Sequence, residues 1–388
     1  MKTEEYVISL TGKDSHKIIR EPGVGSISIG TKGVSSGEFD VWVEENDTIN
    51  WDAFNQFYVP ATLSKKEKYP YGDWPRFIHY SGTDLGFIEW SKKRKIEQLD
   101  WYPQKDIRAD FSNSNISCLE VHASKKIQLL LGENIIYLKL YGNLNNYIIE
   151  KCSKVPYLIF SPKYEKNIIS YSLPIFSTLV EAEEVYVSVD PCYPPFDCNS
   201  LLQFPNLKQL YLEGSVMNLH ALKELKLLEK IGVCNARNLS NFPSLSDWKN
   251  LYDFFAINID EIVGKRLRSE LRGLKKIKMM EEYSNVSKLR SPEWFESNYG
   301  IPFASWERGE KKAMAIYKKC LKKVNEAKSE NDVKEAIIEY TEEFNKMRNI
   351  ESEERDDIYI SLCKIMDNSQ IKVTREKWFS WFDSTRLF

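Results

Sequence analysis

Two short stretches decide the fold of this chain: NIIYLKLYGN, residues 134–143, and NLKQLYLEGS, residues 206–215. Both follow the pattern L-x-x-L-x-L, in which Ile, Val or Phe can replace Leu and alternate apolar residues lie on one side of a short strand. The pattern occurs nine times, at intervals of 20, 19, 20, 27, 25, 21, 23 and 23 residues. Recurrence at nearly constant spacing predicts stacked repeats that share one core. The nine units start at Ile96, Ile116, Ile135, Val155, Ala182, Leu207, Leu228, Leu251 and Leu274.

Through these units, the segment from residue 93 to 285 resembles the leucine-rich repeat family. The resemblance implies an α/β solenoid with strands on its concave side and return segments on its convex side. The apolar spacing and capping residues predict helices in two of the return segments, residues 258–271 and 219–228. The repeats are degenerate, because only Asn143 occupies the position where the family keeps an asparagine that binds turn backbone groups. Prolines between residues 174 and 195 indicate an insertion. An ordinary parallel α/β sheet with evenly spaced strands is the alternative.

The pattern changes twice along the 388 residues, which predicts three regions. Residues 1–92 contain short β-prone runs, punctuating glycines and four tryptophans, which predicts a β-rich N-terminal region that caps the first repeat. Residues 93–285 form the predicted solenoid. Residues 286–388 predict an all-helical C-terminal domain, because their apolar residues recur at helical spacings.

The C-terminal domain is expected to contain three amphipathic helices and a short last helix after Thr374. Ser329 or Asn331 can cap the second helix, and Ser352 can cap the third. The three apolar faces consist of Ala313, Ile316, Tyr317, Cys320, Leu321 and Val324; of Val333, Ala336, Ile337, Tyr340, Phe344 and Met347; and of Ile358, Leu362, Ile365 and Met366.

Composition and charge exclude several classes of protein. The net charge is −2 and there is no basic excess, so nucleic acid is not an expected partner. The sequence has no apolar run of about 18 residues and no signal-peptide core, so no membrane contact is expected. Seven widely spread cysteines favour a reducing, cytoplasmic location. Cys192 and Cys198 lie close together, but further zinc ligands are not near them in sequence.

No catalytic motif is visible in the sequence. It lacks a P-loop, H-E-x-x-H and G-x-S-x-G. The acidic cluster of residues 351–357 suits the start of a helix, where the helix dipole is positive. The histidines, which have no partner at ligand spacing, are His16, His79, His122 and His220. We therefore expect a non-catalytic protein without cofactor or metal, with a site assembled through space around His16 or His79 as an open alternative.

The outward-facing positions of the predicted strands indicate a protein-binding surface. The third, fifth and seventh positions of each unit are expected on the concave face, where seven aromatic residues lie among charged ones. That composition is typical of protein-binding hot spots. A shift of one residue in register would turn these side chains inward. The predicted partner-binding residues are Tyr102, Tyr137, Tyr141, Tyr157, Tyr186, Tyr211, Glu213, Asp253 and Phe255.

The C-terminal segment indicates which class of partner to expect. FNKMRNIESEERDDIY, residues 344–359, and WFDSTRLF, residues 381–388, resemble the tail of bacterial repeat proteins encoded beside polymorphic toxins. The resemblance implies an immunity protein that binds a toxin and occludes its active site, and we expect it to be monomeric before binding. An adaptor or effector that recognises another protein, and an enzyme with a site in the N-terminal region, are the alternatives. A ubiquitin ligase is disfavoured, because neither Cys320 nor Cys363 precedes an aspartate by two residues.

Overall fold

The chain folds as a mixed α/β protein with a large parallel sheet and helices toward its C-terminus. It divides into two compact units, Met1–Pro292 and Glu293–Phe388. The computed structural model describes residues 3–21, 23–58, 73–163, 167–306 and 308–388.

Short strands make up most of the regular structure of the first unit. Two helices also lie in its described part, α1 (Gly86–Ser91) and α2 (Glu261–Ile277). The strands are β1 Glu4–Ile8, β2 His16–Arg20, β3 Ser26–Thr31, β4 Val41–Val43, β5 Phe77–Ser81, β6 Ile96–Tyr102, β7 Ile107–Asp110, β8 Ile116–Ala123, β9 Ile127–Leu131, β10 Tyr137–Gly142, β11 Tyr147–Cys152, β12 Tyr157–Pro162, β13 Glu184–Ser188, β14 Phe196–Asp197, β15 Gln209–Glu213, β16 Val216–Met217, β17 Lys230–Cys234, β18 Asp253–Asp260 and β19 Asn285–Arg290.

Twelve of these strands form one parallel sheet in the order β4-β3-β5-β6-β8-β10-β12-β13-β15-β17-β18-β19. From β5 onward, each strand pairs with the next strand of the sheet along the chain. A smaller parallel sheet, β7-β9-β11, contains strands that alternate along the chain with those of the large sheet. β14 and β16 form a further parallel pair, and β1 and β2 pair antiparallel.

The register of the large sheet aligns the apolar positions of the repeats into two columns. The first column runs from Leu99 on β6 to Phe254 on β18, and the second from Trp101 to Ala256. All sixteen predicted inward residues of the first eight units are at most 1% exposed. Burial of each large aliphatic side chain stabilises the fold by about 1.5–3 kcal/mol, so the columns contribute strongly to its stability.

The prediction of a ninth strand unit that starts at Leu274 is wrong. Ile277 and Met279, expected to point inward, are 79% and 92% exposed. Asp260 accepts a hydrogen bond from the amide of Val263 (2.8 Å) and so caps α2, and the helix continues through Ile277. The apolar residues there recur at helical spacing and imitate the strand pattern. The ninth strand is β19, on which Val286 lies beside Ala256.

The N-terminal region is β-rich, as predicted, but residue 92 does not separate compact units. β3 and β5 belong to the large sheet, and β5 pairs with β6 across the expected boundary. Ile78 and Tyr80 extend the two apolar columns, because they lie beside Leu99 and Trp101. The large interval between β3 and β5 hides the period in the sequence.

Among the eight return segments between β6 and β19, five contain a 3-10 helix in their described residues, and five contain a short strand, namely β7, β9, β11, β14 or β16. The helix expected in residues 258–271 is present as α2, whereas that expected in residues 219–228 is a 3-10 helix. Only twelve residues separate β16 from β17, which leaves little room for an α-helix and its connections. The 3-10 helices of this unit span Trp51–Phe57, Leu144–Asn146, Ser177–Leu179, Cys198–Gln203, Leu219–Glu224 and Leu245–Asp247.

The second unit contains the predicted helices packed around their own core. Ser329 caps α5 in a capping box with Asp332, whereas a capping box of Glu351 and Glu354, and not Ser352, begins α6. Within the described residues, none of the helices combines the length and apolarity that crossing a bilayer requires. The helices are α3 Pro292–Asn298, α4 Glu310–Glu326, α5 Glu330–Asn345, α6 Ser352–Asp367 and α7 Arg375–Thr385, with a 3-10 helix at Pro302–Ser305.

We expect Gly214→Ala to destabilise the first unit severely. Gly214 follows β15 with φ +89°, and a Cβ there would lie 1.4 Å from the carbonyl oxygen of Val189. Backbone strain and this clash together predict a loss of about 3 kcal/mol or more in the free energy of unfolding, measured by urea denaturation. Gly273→Ala is the matched control, because Gly273 lies exposed in α2 with open space around it and alanine there should stabilise by up to about 1 kcal/mol. Equal stability of the two variants would contradict the expectation.

Candidate binding surface

One side of the large sheet carries all nine predicted partner-binding residues. They lie on β6, β10, β12, β13, β15 and β18, at positions that alternate with the buried columns. We call this side the tyrosine face, defined by Tyr102, Tyr137, Tyr141, Tyr157, Tyr186, Tyr211 and Phe255. Tyr137 is 45% exposed and the other six aromatic side chains are partly exposed.

Ring contacts join neighbouring aromatic residues of the tyrosine face across the strands. The ring centroids of Tyr137 and Tyr157 lie 5.6 Å apart, those of Tyr186 and Tyr211 6.5 Å, and those of Tyr211 and Phe255 5.7 Å. Gly232 lies between the last two rings, and a Cβ there would approach both within 2.5 Å. The parallel register therefore places these rings side by side and holds them in defined positions.

Glu213 and Asp253, the two carboxylates among the predicted partner-binding residues, both accept hydrogen bonds from neighbouring side chains of the first unit. Glu213 accepts hydrogen bonds from Tyr186 Oη, from Ser188 Oγ (3.0 Å) and from Asn235 Nδ2 (2.9 Å). Asp253 accepts one from Ser284 Oγ (2.8 Å). Both carboxylates thus help to fix the side chains around them and add negative charge to the face.

A cluster of charged side chains occupies β5, β6, β8 and β10 on the same face. His79 Nδ1 lies 2.7 Å from Asp100 Oδ2, and His122 Nε2 lies 2.8 Å from Asp100 Oδ1. Beside them, the largely buried Glu120 forms an ion pair with Lys139. We call these five residues the His–Asp cluster.

Two tyrosines enclose the imidazole of His122. The Tyr102 and His122 rings are stacked with centroids 3.9 Å apart and planes 10° apart, and the Tyr141 ring stacks on the other side at 4.3 Å and 4°. His122 Nδ1 has no hydrogen-bond partner within the described residues. The ring is therefore held rigidly while one of its nitrogen atoms is unpaired.

Burial and charge set the protonation states around the cluster. Burial of the Asp100 carboxyl opposes its ionisation, but the contacts with His122 and His79 outweigh burial and lower its pKa to about 2. Burial raises the pKa of the Cys118 thiol to about 11, so this thiol stays protonated and is a poor nucleophile. Burial also raises the pKa of Tyr102 and of Tyr141, which keeps both phenols neutral.

Two clefts adjoin the tyrosine face, one at each end of the strands. The cleft at the C-terminal ends has a volume of about 570 Å³ and is lined by Tyr102, His122, Tyr141 and polar loop residues. The cleft at the N-terminal ends has a volume of about 540 Å³, with Tyr137 and Tyr157 in its lining. Four glutamates also line the second cleft, which we call the glutamate cleft: Glu133, Glu181, Glu183 and Glu184.

Sequence reasoning did not identify the His–Asp cluster. Asp100, Glu120, His122 and Lys139 were expected on the face, but separations of about 20 residues concealed that Asp100, Glu120 and Lys139 align across adjacent strands. Extension of the repeat register to β5 would have placed His79 beside Asp100. The other histidine of the N-terminal alternative, His16, contacts the carbonyl oxygen of Trp42 at 2.9 Å and Ser15 Oγ at 2.8 Å, and does not belong to the cluster.

Comparison with known proteins provides no relative for this surface. No protein-family model matches the chain. No curated protein and no solved structure matches it either.

We expect Asp100→Asn to lower stability at neutral pH and to flatten its acid dependence. Because the folded pKa of Asp100 is lowered from 3.8 to about 2, its contribution is present above about pH 4 and is lost as the pH falls toward 2. Solvent screens this partly exposed group, so we expect a contribution on the order of 1 kcal/mol. Urea denaturation from about pH 5 to about pH 2, with a chelator present, measures the difference. His220→Gln, at an exposed histidine, is the control and should keep the wild-type profile. If the free energy of unfolding of Asp100→Asn depended on pH as that of the wild type does, the lowered pKa assigned to Asp100 would be contradicted.

Proposed function

We propose that the first unit is a leucine-rich repeat solenoid. Three features support this proposal: from β5 onward the strands follow chain order across the large sheet, the apolar positions align into two columns, and the β7-β9-β11 sheet repeats the same order. The tyrosine face then corresponds to the concave side of the solenoid. An experimental structure of the full chain should show the first unit as a curved stack with its large sheet on the concave side, and a flat or closed first unit would contradict the proposal.

We infer that the protein binds another protein through the tyrosine face. The observation that carries this inference is the row of partly exposed aromatic rings, set among charges on nine adjacent strands from β5 to β18. Aromatic anchors supply much of the binding energy in protein interfaces. Because ring contacts already order these side chains, binding costs little conformational entropy. The expected product is a tight complex with a preformed surface.

The charges of the face favour a partner with a basic surface. On the nine strands, five carboxylates lie on this side against two lysines: Asp100, Glu120, Glu184, Glu213 and Asp253, against Lys139 and Lys230. The glutamate cleft adds to this negative charge beside the exposed Tyr137. Lys208 neutralises Glu183, but Glu133 and Glu184 form no ion pair within the described residues. Complementary charge steers association and suppresses binding of acidic competitors.

The most specific form of the proposal is an immunity protein that neutralises a bacterial toxin. It rests on the tyrosine face together with the resemblance of residues 344–359 and 381–388 to the tails of immunity proteins. The mechanism is steric: the toxin's active site faces the sheet, aromatic anchors fill it or its rim, and the substrate is excluded. A toxin that acts on an anionic substrate carries the basic surface that the glutamate cleft fits.

We expect Tyr157→Ala and Tyr211→Ala each to weaken binding of the cognate toxin at least tenfold, or about 1.4 kcal/mol or more. The partner is identified by mass spectrometry of the co-purified complex, and affinity is then measured by titration calorimetry. Tyr283→Ala is the control, because this tyrosine is 85% exposed in the loop before β19.

Growth of cells that produce the toxin separates the rival functions. Wild type and Tyr283→Ala should restore growth, and the two face variants should not. Loss of binding in the face variants without any toxin neutralisation by wild type would favour the adaptor or effector. Full affinity in both face variants would exclude the tyrosine face as the binding surface.

Charge reversal in the glutamate cleft should slow association. We expect Glu133→Lys/Glu184→Lys to lower the association rate at least tenfold at low salt and to reduce its salt dependence, with a smaller effect on dissociation. Glu335→Lys/Glu342→Lys, at two exposed positions of α5, is a control with the same change in net charge. Stopped-flow association of the toxin measures both pairs, and equal slowing by the two pairs would assign the effect to net charge alone.

A catalytic function is the second candidate, and the His–Asp cluster favours it. Asp100 orients His122, whose ring is fixed between two tyrosines and lines a cleft of about 570 Å³. An oriented imidazole of this kind can serve as a general base or acid. Turnover of ester, phosphoester, glycoside and peptide substrates should then fall in His122→Gln, and unchanged turnover in that variant would remove this candidate.

A further inference from the structure

Three side chains of the His–Asp cluster direct ligand atoms toward one point. One oxygen from Asp100, one from Glu120 and one ring nitrogen from His122 all lie within 4.8 Å of one another. The three residues come from adjacent strands, β6 and β8, so the backbone hydrogen bonds of the sheet fix their separation. Imidazole and carboxylate are common ligands of catalytic zinc sites, and carboxylates also suit manganese.

The ligand atoms of the cluster already contact one another or hydrogen-bond donors, and a bound cation would replace part of these contacts. Asp100 Oδ1 is buried and lies 2.8 Å from His122 Nε2, in an ion pair whose geometry is irregular for a hydrogen bond. A cation between these two atoms would satisfy the carboxylate and displace the imidazole proton. On Glu120, the donors Gln98, Lys139 and Cys118 all contact Oε1, and Tyr141 interacts with the same carboxylate.

The surroundings hold these three residues in place from the outside. His79 Nδ1 contacts the other oxygen of Asp100, at 2.7 Å. Tyr102 and Tyr141 stack on both faces of His122, which restricts rotation of its ring. Outer contacts of this kind orient metal ligands and raise metal affinity in known sites.

We propose that Asp100, Glu120 and His122 bind a divalent transition-metal cation, with Zn²⁺ as the best-matched ion. Three protein ligands leave at least one coordination position open on the tyrosine face, where water or a carboxylate of a partner can bind. The mixed nitrogen and oxygen donors favour Zn²⁺ or Mn²⁺ over Ca²⁺ and Mg²⁺, which prefer oxygen ligands alone. This site departs from the sequence-based expectation that the protein holds no metal, and it does not depend on the proposed protein binding.

Lys139 provides a test that does not require the loss of a ligand. Its ammonium group forms an ion pair with Glu120 and repels a cation bound by that carboxylate. Lys139→Gln keeps a hydrogen-bond donor for Glu120 but removes the charge, so we expect Zn²⁺ to bind roughly tenfold more tightly or better. Lys208→Gln removes the charge of a lysine paired with Glu183 and should leave Zn²⁺ affinity unchanged.

Titration calorimetry of the full chain with Zn²⁺ should show one site, and Co²⁺ should give a visible absorption spectrum with a nitrogen and oxygen ligand set. We expect His122→Asn and Asp100→Asn to weaken Zn²⁺ binding at least tenfold, and His79→Gln about tenfold. His220→Ala controls for adventitious binding at an exposed histidine. Circular dichroism checks that each variant is folded.

The wild type and Lys139→Gln keep the test decisive even if a ligand variant does not fold. Absence of Zn²⁺ binding by wild type would overturn the proposal. Binding that His220→Ala removes, or that Lys139→Gln leaves unchanged, would assign the ion to an adventitious site and overturn it as well. Tighter binding in Lys139→Gln, with loss in a folded His122→Asn, would support it.

Discussion

The first unit depends on one constraint: aliphatic side chains from successive strands must stack in register. Each strand from β6 through β18 is hydrogen-bonded in parallel to the next strand of the sheet. This pairing places Leu99, Leu119, Leu138 and their successors directly beside one another, and each is shielded from water by its neighbours. No single strand can bury its apolar side alone, so each repeat is stable only beside the next. The same constraint explains Gly214, because the close approach of successive turns leaves no space for a Cβ beside Val189.

The stacking of the core determines what the opposite side of the sheet can do. Side chains alternate between the two sides of a strand, so a strict inward column produces an equally strict outward row. Residues about 20 positions apart thereby become neighbours, as Tyr137 and Tyr157 show with centroids 5.6 Å apart. The extended row of aromatic side chains and the compact cluster around Asp100 arise from the same geometry. The first depends on the number of strands in the sheet, and the second depends on the close spacing of adjacent strands.

The second unit follows a different principle. Its helices bury apolar stripes against one another and form a core of their own, with Tyr340 donating to the carbonyl oxygen of Ile358 at 2.8 Å and contacting Ser361 at 2.6 Å inside it. Local signals are strong here, because helical spacing and capping residues act within a few positions of the chain. This is why the predicted faces agree with the buried residues of α4, α5 and α6.

The sequence alone determined the features that depend on local spacing. These are the inward positions of eight predicted units, the helix within residues 258–271 and the helical character of the C-terminal unit. Only the tertiary structure decided that β5 continues the sheet before residue 92, that Leu274 belongs to a helix, and that His79, Asp100 and His122 meet. The physical reason is that strand pairing is non-local: a period reveals which residues point inward, but contact between outward residues depends on register across strands, which the chain fixes only when it is folded.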